Sequence, residues 1–418
     1  MPSLQPPRGM TDLLPDAMAS QRRVMDTACR LASRWGFAEM ATPMMEFTEV
    51  FARPLGETSD VVTKETYSFT DRGGEGLTLR PEGTAAVVRA IISNGLTQTL
   101  PQKLYYQGPM FRYERPQKGR LRQFHQVGVE LIGGSGGLAD AEVISLGHQL
   151  LAELGAGGQC KLNLNSLGDA ESRAAYRASL VSYLKDHRDR LSEDSQRRLE
   201  LNPLRILDSK DEADQAILGA APLLGDYLNT ASADHFGLVC GLLDEAQIPY
   251  QLNPRLVRGL DYYCHTAFEF ITDALGAQGT VLGGGRYDGL SETLGGPSLP
   301  GVGWAAGVER LALLAGEPES RPAPLVLIGL DAQCQLRMFG LADRLRAEGY
   351  HVEIPLSGNL GKQLKRADRL GARMVLIQGA EEAAKNIVLC RDMQTGNQQE
   401  TTMDAVLPLL AATAGQGE

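Results

Sequence analysis

The stretch GPMFRYERPQKGRLRQF, residues 108–124, gathers five cations around a single acid in a chain whose formal net charge is −10. Apolar, strand-like segments lie on both sides of its basic loop at 115–120, which predicts two antiparallel strands joined by that loop. Because strand side chains alternate between faces, a cation, two carboxylates, an amide and an aromatic ring should share one face of the hairpin. These residues are Arg112, Glu114, Phe124, Gln126 and Glu130. Such a face is either a solvated surface or a site for a polyanion.

The composition limits the class of protein. At 418 residues, with 43% apolar and 22% charged side chains, the chain is expected to form two or three globular domains. Its 51 acidic against 41 basic residues argue against unspecific coating of nucleic acid, so that any polyanion must be bound by local basic patches.

The same chain lacks signals for export and for structural metal. Its start has no secretory apolar segment and no apolar run reaches the length of a membrane span, so a cytoplasmic location without a membrane partner is expected. Six scattered cysteines without a CxxC pair indicate neither a zinc site nor a disulfide framework, and no protein-bound metal is expected.

Three kinds of sequence pattern divide the chain. Over residues 1–322, hairpin-like strands and amphipathic helices predict an α+β domain built on an antiparallel sheet. Within it, residues 170–248 carry long helical patterns with almost no strand signal, which predicts a helical insertion. Over 323–418, strands and helices alternate with short connections, which is typical of a small α/β domain with a largely parallel sheet. The Glu- and Pro-bearing stretch 315–324 is the predicted linker.

No standard nucleotide-binding loop is present. The sequence has no GxxxxGK[ST] motif, and GVGWAAG (301–307) misplaces the third glycine of a dinucleotide fingerprint. Arginine, whose planar fork of donors grips phosphate oxygens, is then the expected phosphate ligand. Two further segments present such arginines, LVRGLDYYCHTAFEF (256–270) and GVGWAAGVERLALL (301–314). Taken alone, each is equally consistent with a packed strand or a glycine-rich packing contact.

Four segments together resemble one enzyme family. GPMFRYERPQKGRLRQFHQ (108–126) and GVERLALL (307–314) are similar to motifs 2 and 3 of class II aminoacyl-tRNA synthetases. LVRGLDYY (256–263) and LGGGRYDGL (282–290) resemble the two peptides that mark the histidyl-tRNA synthetase family, and the likeness runs from about residue 8 to the end. The resemblance implies a class II synthetase fold with a C-terminal α/β anticodon-binding domain.

The resemblance also implies an activity and its partners. A histidine–tRNA ligase takes ATP with its bound Mg²⁺, L-histidine and tRNA(His), and works as a homodimer. Two other functions stay open. One is a non-catalytic regulatory paralogue that serves as a subunit of ATP phosphoribosyltransferase in histidine biosynthesis, and the other is a stand-alone RNA-binding or signalling protein. The regulatory paralogues typically lose the catalytic arginines and the C-terminal module, whereas this chain has both.

For ATP, the resemblance implies that fixed positive charge drives the displacement at phosphorus. Arg112 is expected to hold the α-phosphate as a catalytic residue. Arg258, also catalytic, is expected to bridge that phosphate and the carboxylate of histidine. The other ATP-binding residues that it implies are Glu114, Arg120, Phe124 and Arg310.

For histidine, the resemblance implies a polar pocket. The imidazole ring has two nitrogens that can both be hydrogen-bonded, and Glu130 and Tyr263 are expected to contact them. Tyr262 and Tyr287 are expected close by. The α-amino group is assigned to Glu82, Thr84 and Gln126.

For tRNA, two basic regions are candidates. The first lies on or beside the loop of the opening stretch and is expected to contact the acceptor end through Arg115, Gln117, Lys118 and Arg122. The second is a predicted helix, 359–373, in the anticodon-binding domain. Its basic residues Lys362, Lys365, Arg366, Arg369 and Arg373 follow helical spacing and share a face. Without the family resemblance, a solvated surface helix is the favoured explanation of this face, and the resemblance reverses that preference.

Overall fold

The computed structural model describes residues 4–55, 65–117, 119–201, 203–209, 211–257, 260, 262–276, 279–316 and 323–414. It divides into two compact units, Met1–Pro318 and Glu319–Glu418. The limits inferred from the sequence, 1–322 and 323–418, remain our proposal for the two domains.

The first unit contains strands, α-helices and short 3₁₀-helices. The strands are β1 (Ala38–Met40), β2 (Met45–Phe47), β3 (Tyr67–Thr70), β4 (Gly76–Leu79), β5 (Gln102–Phe111), β6 (Gln123–Ile132), β7 (Lys161–Ser166), β8 (Tyr250–Leu252), β9 (Cys264–Ile271), β10 (Thr280–Arg286) and β11 (Gly301–Gly307). The α-helices are α1 (Pro15–Arg34), α2 (Glu49–Leu55), α3 (Thr84–Ser93), α4 (Gly137–Glu153), α5 (Ala170–Lys185), α6 (Glu193–Leu201), α7 (Glu212–Leu218), α8 (Thr230–Glu245), α9 (Leu290–Thr293) and α10 (Val308–Ala315). The 3₁₀-helices are Leu96–Gln98, Gly157–Gln159, Arg188–Arg190, Pro203–Asp208 and Leu224–Tyr227.

The central sheet of the first unit is antiparallel through its middle. Within the described ranges it has eight strands in the order β1-β5-β6-β11-β10-β9-β7-β8. The two edge pairs, β1 with β5 and β7 with β8, are parallel, and the pairs between them are antiparallel. The hairpin predicted from the opening stretch is β5 with β6, paired from Gln102↔Ile132 to Phe111↔Gln123. The predicted α+β fold on an antiparallel sheet is confirmed.

Strand β6 has two different faces. Val127 and Val129 belong to the main apolar core, which packs the sheet against α1, α4 and α10. Phe124, Gln126 and Glu130 alternate with them along the strand and point to the opposite side, as the period of two predicts. This opposite side carries the polar residues that the sequence assigned to one face of the hairpin.

Helices α5 to α8 form the insertion. Its α5–α7 part has an apolar core of its own, which includes Tyr176, Leu180, Ile206 and Ile217. Val239 and Leu243 of α8 belong instead to the main core of the first unit. The sequence pattern predicted helices without strands in this part of the chain, which agrees with the elements between Ala170 and Glu245. The insertion leaves the sheet after β7 and returns to it at β8.

A buried carboxylate ties the turns of the insertion together. Asp214 is fully buried and accepts hydrogen bonds from the backbone N–H and hydroxyl of Ser192 and from the hydroxyls of Ser195 and Ser209. Burial alone would raise the pKa of Asp214, but these hydrogen bonds outweigh it and lower the pKa below the ordinary value. The ionised carboxylate is therefore part of the folded insertion.

A small sheet carries an apolar surface of the first unit. Its order within the described residues is β2-β4-β3, and β3 pairs with β4 in an antiparallel hairpin. Large apolar side chains on and beside β2 and β3 are about half exposed, namely Met44, Met45, Phe47 and Phe69.

The second unit has a mixed sheet. Its strands are β12 (Leu325–Gly329), β13 (Val352–Glu353), β14 (Met374–Gln378), β15 (Ile387–Asp392) and β16 (Gln398–Thr402), and its helices are α11 (Ala332–Ala347), α12 (Leu360–Arg369), α13 (Ala380–Ala384) and α14 (Val406–Ala414). In the order β13-β12-β14-β15-β16, β12 is parallel to both neighbours, whereas the last two pairs are antiparallel. The predicted largely parallel sheet is thus wrong for half of its pairs. Across the described part of the chain, no helix is both long and apolar enough to cross a membrane.

Helix α12 carries the basic face of the second unit. Asn359 caps its start by accepting the N–H of Lys362 at 3.1 Å. The helix stops at Arg369, and Gly371 follows with a φ of +63°, a conformation that glycine adopts readily after a helix. The predicted helix was longer, and Arg373 lies outside it. The basic residues on α12 are Lys362, Lys365, Arg366 and Arg369.

Candidate active site

A cavity of about 220 Å³ lies over β6, β10 and β11, and residues from all three arginine-bearing segments line it. The predicted site residues in its lining are Glu82, Thr84, Arg112, Glu114, Arg120, Phe124, Gln126, Tyr262, Tyr263 and Arg310. Glu130 and Tyr287 are buried, and Glu130 reaches the lining through Thr84. Two predicted residues, Arg258 and Lys118, fall outside the described ranges.

The guanidinium of Arg112 is held from two sides. Its Nε donates a 2.8 Å hydrogen bond to the carbonyl of Pro81, and the group lies 5.3 Å from the centroid of the Phe124 ring. The prediction that strand β5 extends through Arg112 and Glu114 is wrong. The strand ends at Phe111, because the N–H of Glu114 bonds the carbonyl of Arg112 at 2.8 Å in a tight turn. The two side chains nevertheless lie close together, because the distance between Nη1 of Arg112 and Oε1 of Glu114 is 3.9 Å.

Three guanidinium groups line the cavity, those of Arg112, Arg120 and Arg310. Glu114 forms an ion pair with Arg120 and is largely buried. Arg310 also lines the cavity, and burial together with the positive charge of Arg120 lowers the pKa of Arg310. Guanidinium groups that repel one another in a half-buried site are stabilised when an anion with several oxygens binds between them. Phosphate groups fit this arrangement.

The basic loop folds back as a tight turn beside Arg310. Gln117 and Arg120 exchange backbone hydrogen bonds at 2.9 and 3.0 Å. Gly119 has a φ of +71° in this turn, and a Cβ there would lie 3.3 Å from Cγ of Arg310. A glycine therefore lets the loop pack against the start of α10. Arg115 and Gln117 lie at the surface of the loop, where Gln117 is exposed.

Arg122 has structural partners. Its guanidinium stacks on the Tyr113 ring at 3.7 Å and its Nε donates to the carbonyl of Glu114 at 3.0 Å. The backbone N–H of Arg122 bonds the carbonyl of Gly9 at 2.7 Å. These contacts fix the second half of the loop on the body of the unit.

Glu82 caps helix α3 at the edge of the cavity. Its two carboxylate oxygens accept the backbone N–H groups of Thr84 at 2.7 Å and Ala85 at 2.9 Å. Burial raises the pKa of Glu82, against the lowering effect of these two hydrogen bonds and of Arg112. Thr84 is the first residue of this helix, and nothing in the sequence indicated that Glu82 would be its cap.

Glu130 lies beneath the cavity and has no exposed surface. One carboxylate oxygen accepts the hydroxyl of Thr84 at 2.7 Å and the other accepts the hydroxyl of Tyr287. Burial raises the pKa of Glu130 to about 8, although both hydroxyls act in the opposite direction. On β11, a Cβ at Gly303 would lie 1.9 Å from Glu130 Oε2, so only glycine leaves room for this carboxylate.

Aromatic rings enclose the same part of the cavity. The Tyr262 ring lies 4.7 Å from that of Tyr263 and 5.9 Å from that of Tyr287. Burial raises the pKa of both Tyr262 and Tyr287, so that their hydroxyls stay protonated and can donate hydrogen bonds. Oε1 of Gln126 is buried and has no hydrogen-bond partner among the described residues. A buried acceptor of this kind in a cavity wall marks a place for a ligand with an N–H donor.

Three charged residues of the site region were missed by the sequence reasoning. Glu309 binds His125 on β6. Arg173 of α5 donates to the backbone of Tyr263. Arg286, only 1% exposed, donates to Asp140 through Nε and Nη2 at 2.9 and 2.6 Å. Arg286 lies in the LGGGRYDGL peptide, and its position at the end of an otherwise apolar buried strand was the signal available for it.

Comparison with known proteins agrees with this geometry. The family model described as Histidyl-tRNA synthetase matches residues 9–311, and the model described as Anticodon binding domain matches residues 325–413. The antiparallel sheet with its basic hairpin loop, followed by an anticodon-binding domain, is the architecture of a class II aminoacyl-tRNA synthetase. Within that class, the chain belongs to the histidyl-tRNA synthetase family, as the sequence motifs predicted.

Individual relatives match over nearly their whole length. The histidine–tRNA ligase of Rhodospirillum rubrum is 60% identical over 408 residues, which cover 97% of this chain and 98% of that protein. The histidine–tRNA ligase of Gluconobacter oxydans is 52% identical, with 99% of both chains covered. Among solved structures, apo histidyl-tRNA synthetase of S. aureus superimposes with a TM-score of 0.82 at 35% identity, covering 97% of this chain and 99% of that one.

Proposed function

We propose that the protein is a histidine–tRNA ligase, which joins L-histidine and ATP to histidyl-adenylate and pyrophosphate and then transfers histidine to the 3′ end of tRNA(His). One observation carries the proposal. A single cavity is bounded by the guanidinium groups of Arg112, Arg120 and Arg310 and, through Thr84, by the buried carboxylate of Glu130. The first set suits a triphosphate, and the second suits a ligand with a ring N–H.

ATP would be bound by fixed charge and stacking. Arg112 and the ring of Phe124 lie together, so that adenine on the ring places the α-phosphate within reach of the guanidinium. Arg120 and Arg310 would take the remaining phosphates. Arg258, outside the described residues, is proposed for the bridge between α-phosphate and substrate carboxylate. Positioning and electrostatic stabilisation supply most of the rate in displacement at phosphorus.

Mg²⁺ would enter with ATP as part of the substrate. Over the described ranges, no group of three or more His, Cys, Asp or Glu side chains is arranged to hold a metal ion. Carboxylates that line the cavity, Glu82, Glu114 and Glu309, are already bonded to helix N–H groups, to Arg120 and to His125. The phosphate oxygens are therefore the main ligands that we expect for the ion.

Histidine would be selected by paired polar atoms. Glu130 and Tyr263 are proposed for the imidazole ring, with Tyr262 and Tyr287 around it. Gln126, whose Oε1 is buried without a partner in the described structure, is proposed for the α-amino group with Glu82 and Thr84. A pocket built to pair polar atoms rejects analogues that lack them by about 10⁴-fold or more, so that selection needs no editing step.

Two basic regions at the surface are proposed to bind tRNA. The loop residues Arg115 and Gln117, with Lys118 and the partly covered Arg122, would face the acceptor end. The α12 residues Lys362, Lys365, Arg366 and Arg369 would face the anticodon. Arg115, Gln117 and the four α12 residues are exposed, which supports this assignment, because phosphate contacts need side chains that reach into solvent.

A homodimer is proposed as the working form, in the cytoplasm where tRNA is charged. The partly exposed Met44, Met45, Phe47 and Phe69 of the β2-β4-β3 sheet support it, since clustered large apolar side chains on a surface are typical of a protein interface.

The test of the activity is histidine-dependent exchange of labelled pyrophosphate into ATP, followed by charging of tRNA(His). Full-length protein should catalyse both, and replacing Arg112 with Ala should slow exchange by about 10²-fold or more. A folded protein without exchange would instead support a regulatory paralogue, and exchange with another amino acid but not histidine would overturn the substrate assignment.

A further inference from the structure

Arg173 connects the helical insertion to the histidine side of the cavity. It lies near the start of α5, and its Nη1 donates a 2.7 Å hydrogen bond to the backbone carbonyl of Tyr263. Tyr263 lines the cavity and is 7% exposed, and Arg173 is half-buried. A guanidinium that donates to a buried carbonyl makes a charge-assisted hydrogen bond where little water competes.

Hydrogen bonds hold the first turn of α5, from which the Arg173 side chain extends. Asp169 caps α5 by accepting the N–H of Ser172 at 2.8 Å, and it accepts Nδ2 of Asn229 at 2.8 Å. The hydroxyl of Ser172 in turn accepts the backbone N–H of Asn229, the cap of α8, at 3.1 Å. The starts of α5 and α8 are therefore bonded to each other, directly before Arg173.

The peptide that Arg173 contacts is held by the insertion at a second place. His265 has a φ of +46°, where the register of β9 with β10 shifts. Its N–H donates to the carbonyl of Gly168 at 2.8 Å, and its ring stacks on that of His235 in α8 with centroids 5.0 Å apart. A positive φ in a residue other than glycine persists only where the surroundings impose it. The insertion thus shapes the backbone on both sides of Cys264.

The stability of helix α5 does not explain why an arginine occupies position 173. A cation near the start of a helix opposes the macrodipole, and the cap is already supplied by Asp169. Arg177 lies one turn further along the same helix, where it is exposed. The two arginines lie on the same helix and differ in exposure, which makes Arg177 a matched control.

We propose that Arg173 is a positioning residue that fixes Tyr263 for histidine binding, so that the helical insertion sets the affinity of the amino-acid pocket. The inference rests on the proposed function, because it takes Tyr263 as a contact of the substrate ring. Arg173 acts through the carbonyl of Tyr263. Three of the proposed phosphate-binding arginines, Arg112, Arg120 and Arg310, belong to the β5–β6 loop and α10, so that ATP binding should be much less affected than histidine binding.

The experiment measures pyrophosphate exchange by full-length protein at varied histidine and varied ATP, without tRNA. Arg173→Ala should raise KM for histidine at least about fivefold, as expected when a charge-assisted hydrogen bond to a buried acceptor is lost, and change KM for ATP less than about twofold. Arg173→Lys keeps a cationic donor and should lie closer to the wild type than the Ala variant. Arg177→Ala should match the wild type.

The results for the variants test the role of Arg173, and the result for the wild type tests the proposed function. If wild-type protein exchanges pyrophosphate but Arg173→Ala matches Arg177→Ala, Arg173 does not position the pocket. The proposal also fails if the Ala variant weakens histidine and ATP equally, or if Arg173→Lys is as impaired as Arg173→Ala. Absence of exchange in the wild type would overturn the proposed function instead. Thermal melting of each variant identifies any that fails to fold, and Arg173→Lys then carries the comparison.

Discussion

Glu309 and His125 join helix α10 to strand β6. Both carboxylate oxygens of Glu309 accept the backbone N–H of His125 at 3.0 Å, and Oε1 lies 2.9 Å from ring Nδ1. The sequence neighbours of the pair are Arg310 and Phe124, which line the cavity from these two elements. The contact therefore sets the distance between a proposed phosphate ligand and the proposed adenine platform.

Replacing Glu309 with Ala should lower kcat/KM for ATP in pyrophosphate exchange by about tenfold or more, because small displacements of positioned groups have large effects on rate. Glu309→Gln keeps an acceptor for the backbone N–H and should lose less. Glu292 is exposed on α9, and Glu292→Ala serves as the control. Equal activity of Glu309→Ala and this control would contradict the positioning effect.

Replacing Glu130 with Gln should weaken histidine binding and leave ATP binding nearly unchanged. The variant keeps the size of the side chain but loses the charge, and the loss of a charge-assisted hydrogen bond corresponds to roughly 10–150-fold in apparent affinity. The histidine and ATP dependence of exchange measures both effects. Equal weakening for the two substrates, or none for histidine, would remove Glu130 from the imidazole pocket.

The raised pKa of Glu130 also predicts a pH dependence. Between about pH 6.5, where the free histidine ring titrates, and about pH 8, the empty site holds the proton on Glu130 and the ring is neutral. On binding, the proton moves from Glu130 to the imidazole ring, which gives an ion pair of carboxylate and protonated ring. No proton is then taken up from or released to solvent, so affinity should not depend on pH in this range. Above pH 8 Glu130 is already ionised and binding takes up a proton, so apparent affinity should fall as pH rises. The Gln variant should lack this fall, and parallel profiles for the two proteins would refute the assignment.

Replacing Asp214 with Asn should destabilise the insertion by about 2 kcal/mol at neutral pH, since buried hydroxyls lose a charged acceptor. The folded-state pKa of Asp214 is lowered, so its contribution is present above the unfolded pKa of about 3.9 and is lost as pH falls through the folded value. The difference between variant and wild type in urea unfolding should accordingly shrink below about pH 4. Asp189, exposed in the insertion, supplies the control Asp189→Asn. A gap that stays constant down to pH 3 would argue against an ionised Asp214.

Reversing the charge of Arg366 on α12 should weaken tRNA charging and leave pyrophosphate exchange unchanged. One lost phosphate contact and one new repulsion should reduce kcat/KM for tRNA by roughly tenfold at low salt, with a smaller salt dependence than the wild type. Lys385 is exposed in the same unit, and Lys385→Glu is the matched control. Charging by Arg366→Glu that equals this control at sub-saturating tRNA would exclude α12 from the tRNA interface.

Local patterns in the sequence predicted the β5–β6 hairpin, the helices of the insertion and α12, although not where β5 and α12 end. The β5–β6 hairpin and its alternating faces follow from a period of two, which each strand carries in its own residues. The predicted largely parallel sheet fails at the antiparallel β14–β15 pair, because the connection through α13 is too short for a parallel crossover. Only residues 379–386 separate these strands, which is shorter than the dozen or more residues that a parallel crossover needs.

Local patterns could not predict contacts between residues that are far apart in the sequence. The pairs Glu309–His125 and Arg173–Tyr263 join residues 184 and 90 positions apart, and nothing in either segment alone encodes its partner. The motifs placed the cavity lining correctly by segment, but they gave no sign that Glu82 would cap α3 or that Thr84 would bond Glu130. The individual roles proposed for these side chains stay predictions.

The edge pair β7–β8 has a consequence for the order of folding. Leu162 pairs with Tyr250 across the whole insertion, whereas β5 and β6 pair across one short loop. Closing a long loop costs more chain entropy before any contact rewards it, so pairing of distant strands is slow unless the intervening chain is already compact. Helices α5 to α7 of the insertion have their own apolar core and can collapse first, which shortens the effective distance between the two strands. We therefore expect the insertion to act as an early folding unit that delivers β8 to the sheet edge, with amide protection in β5–β6 and α5 appearing before that in β8.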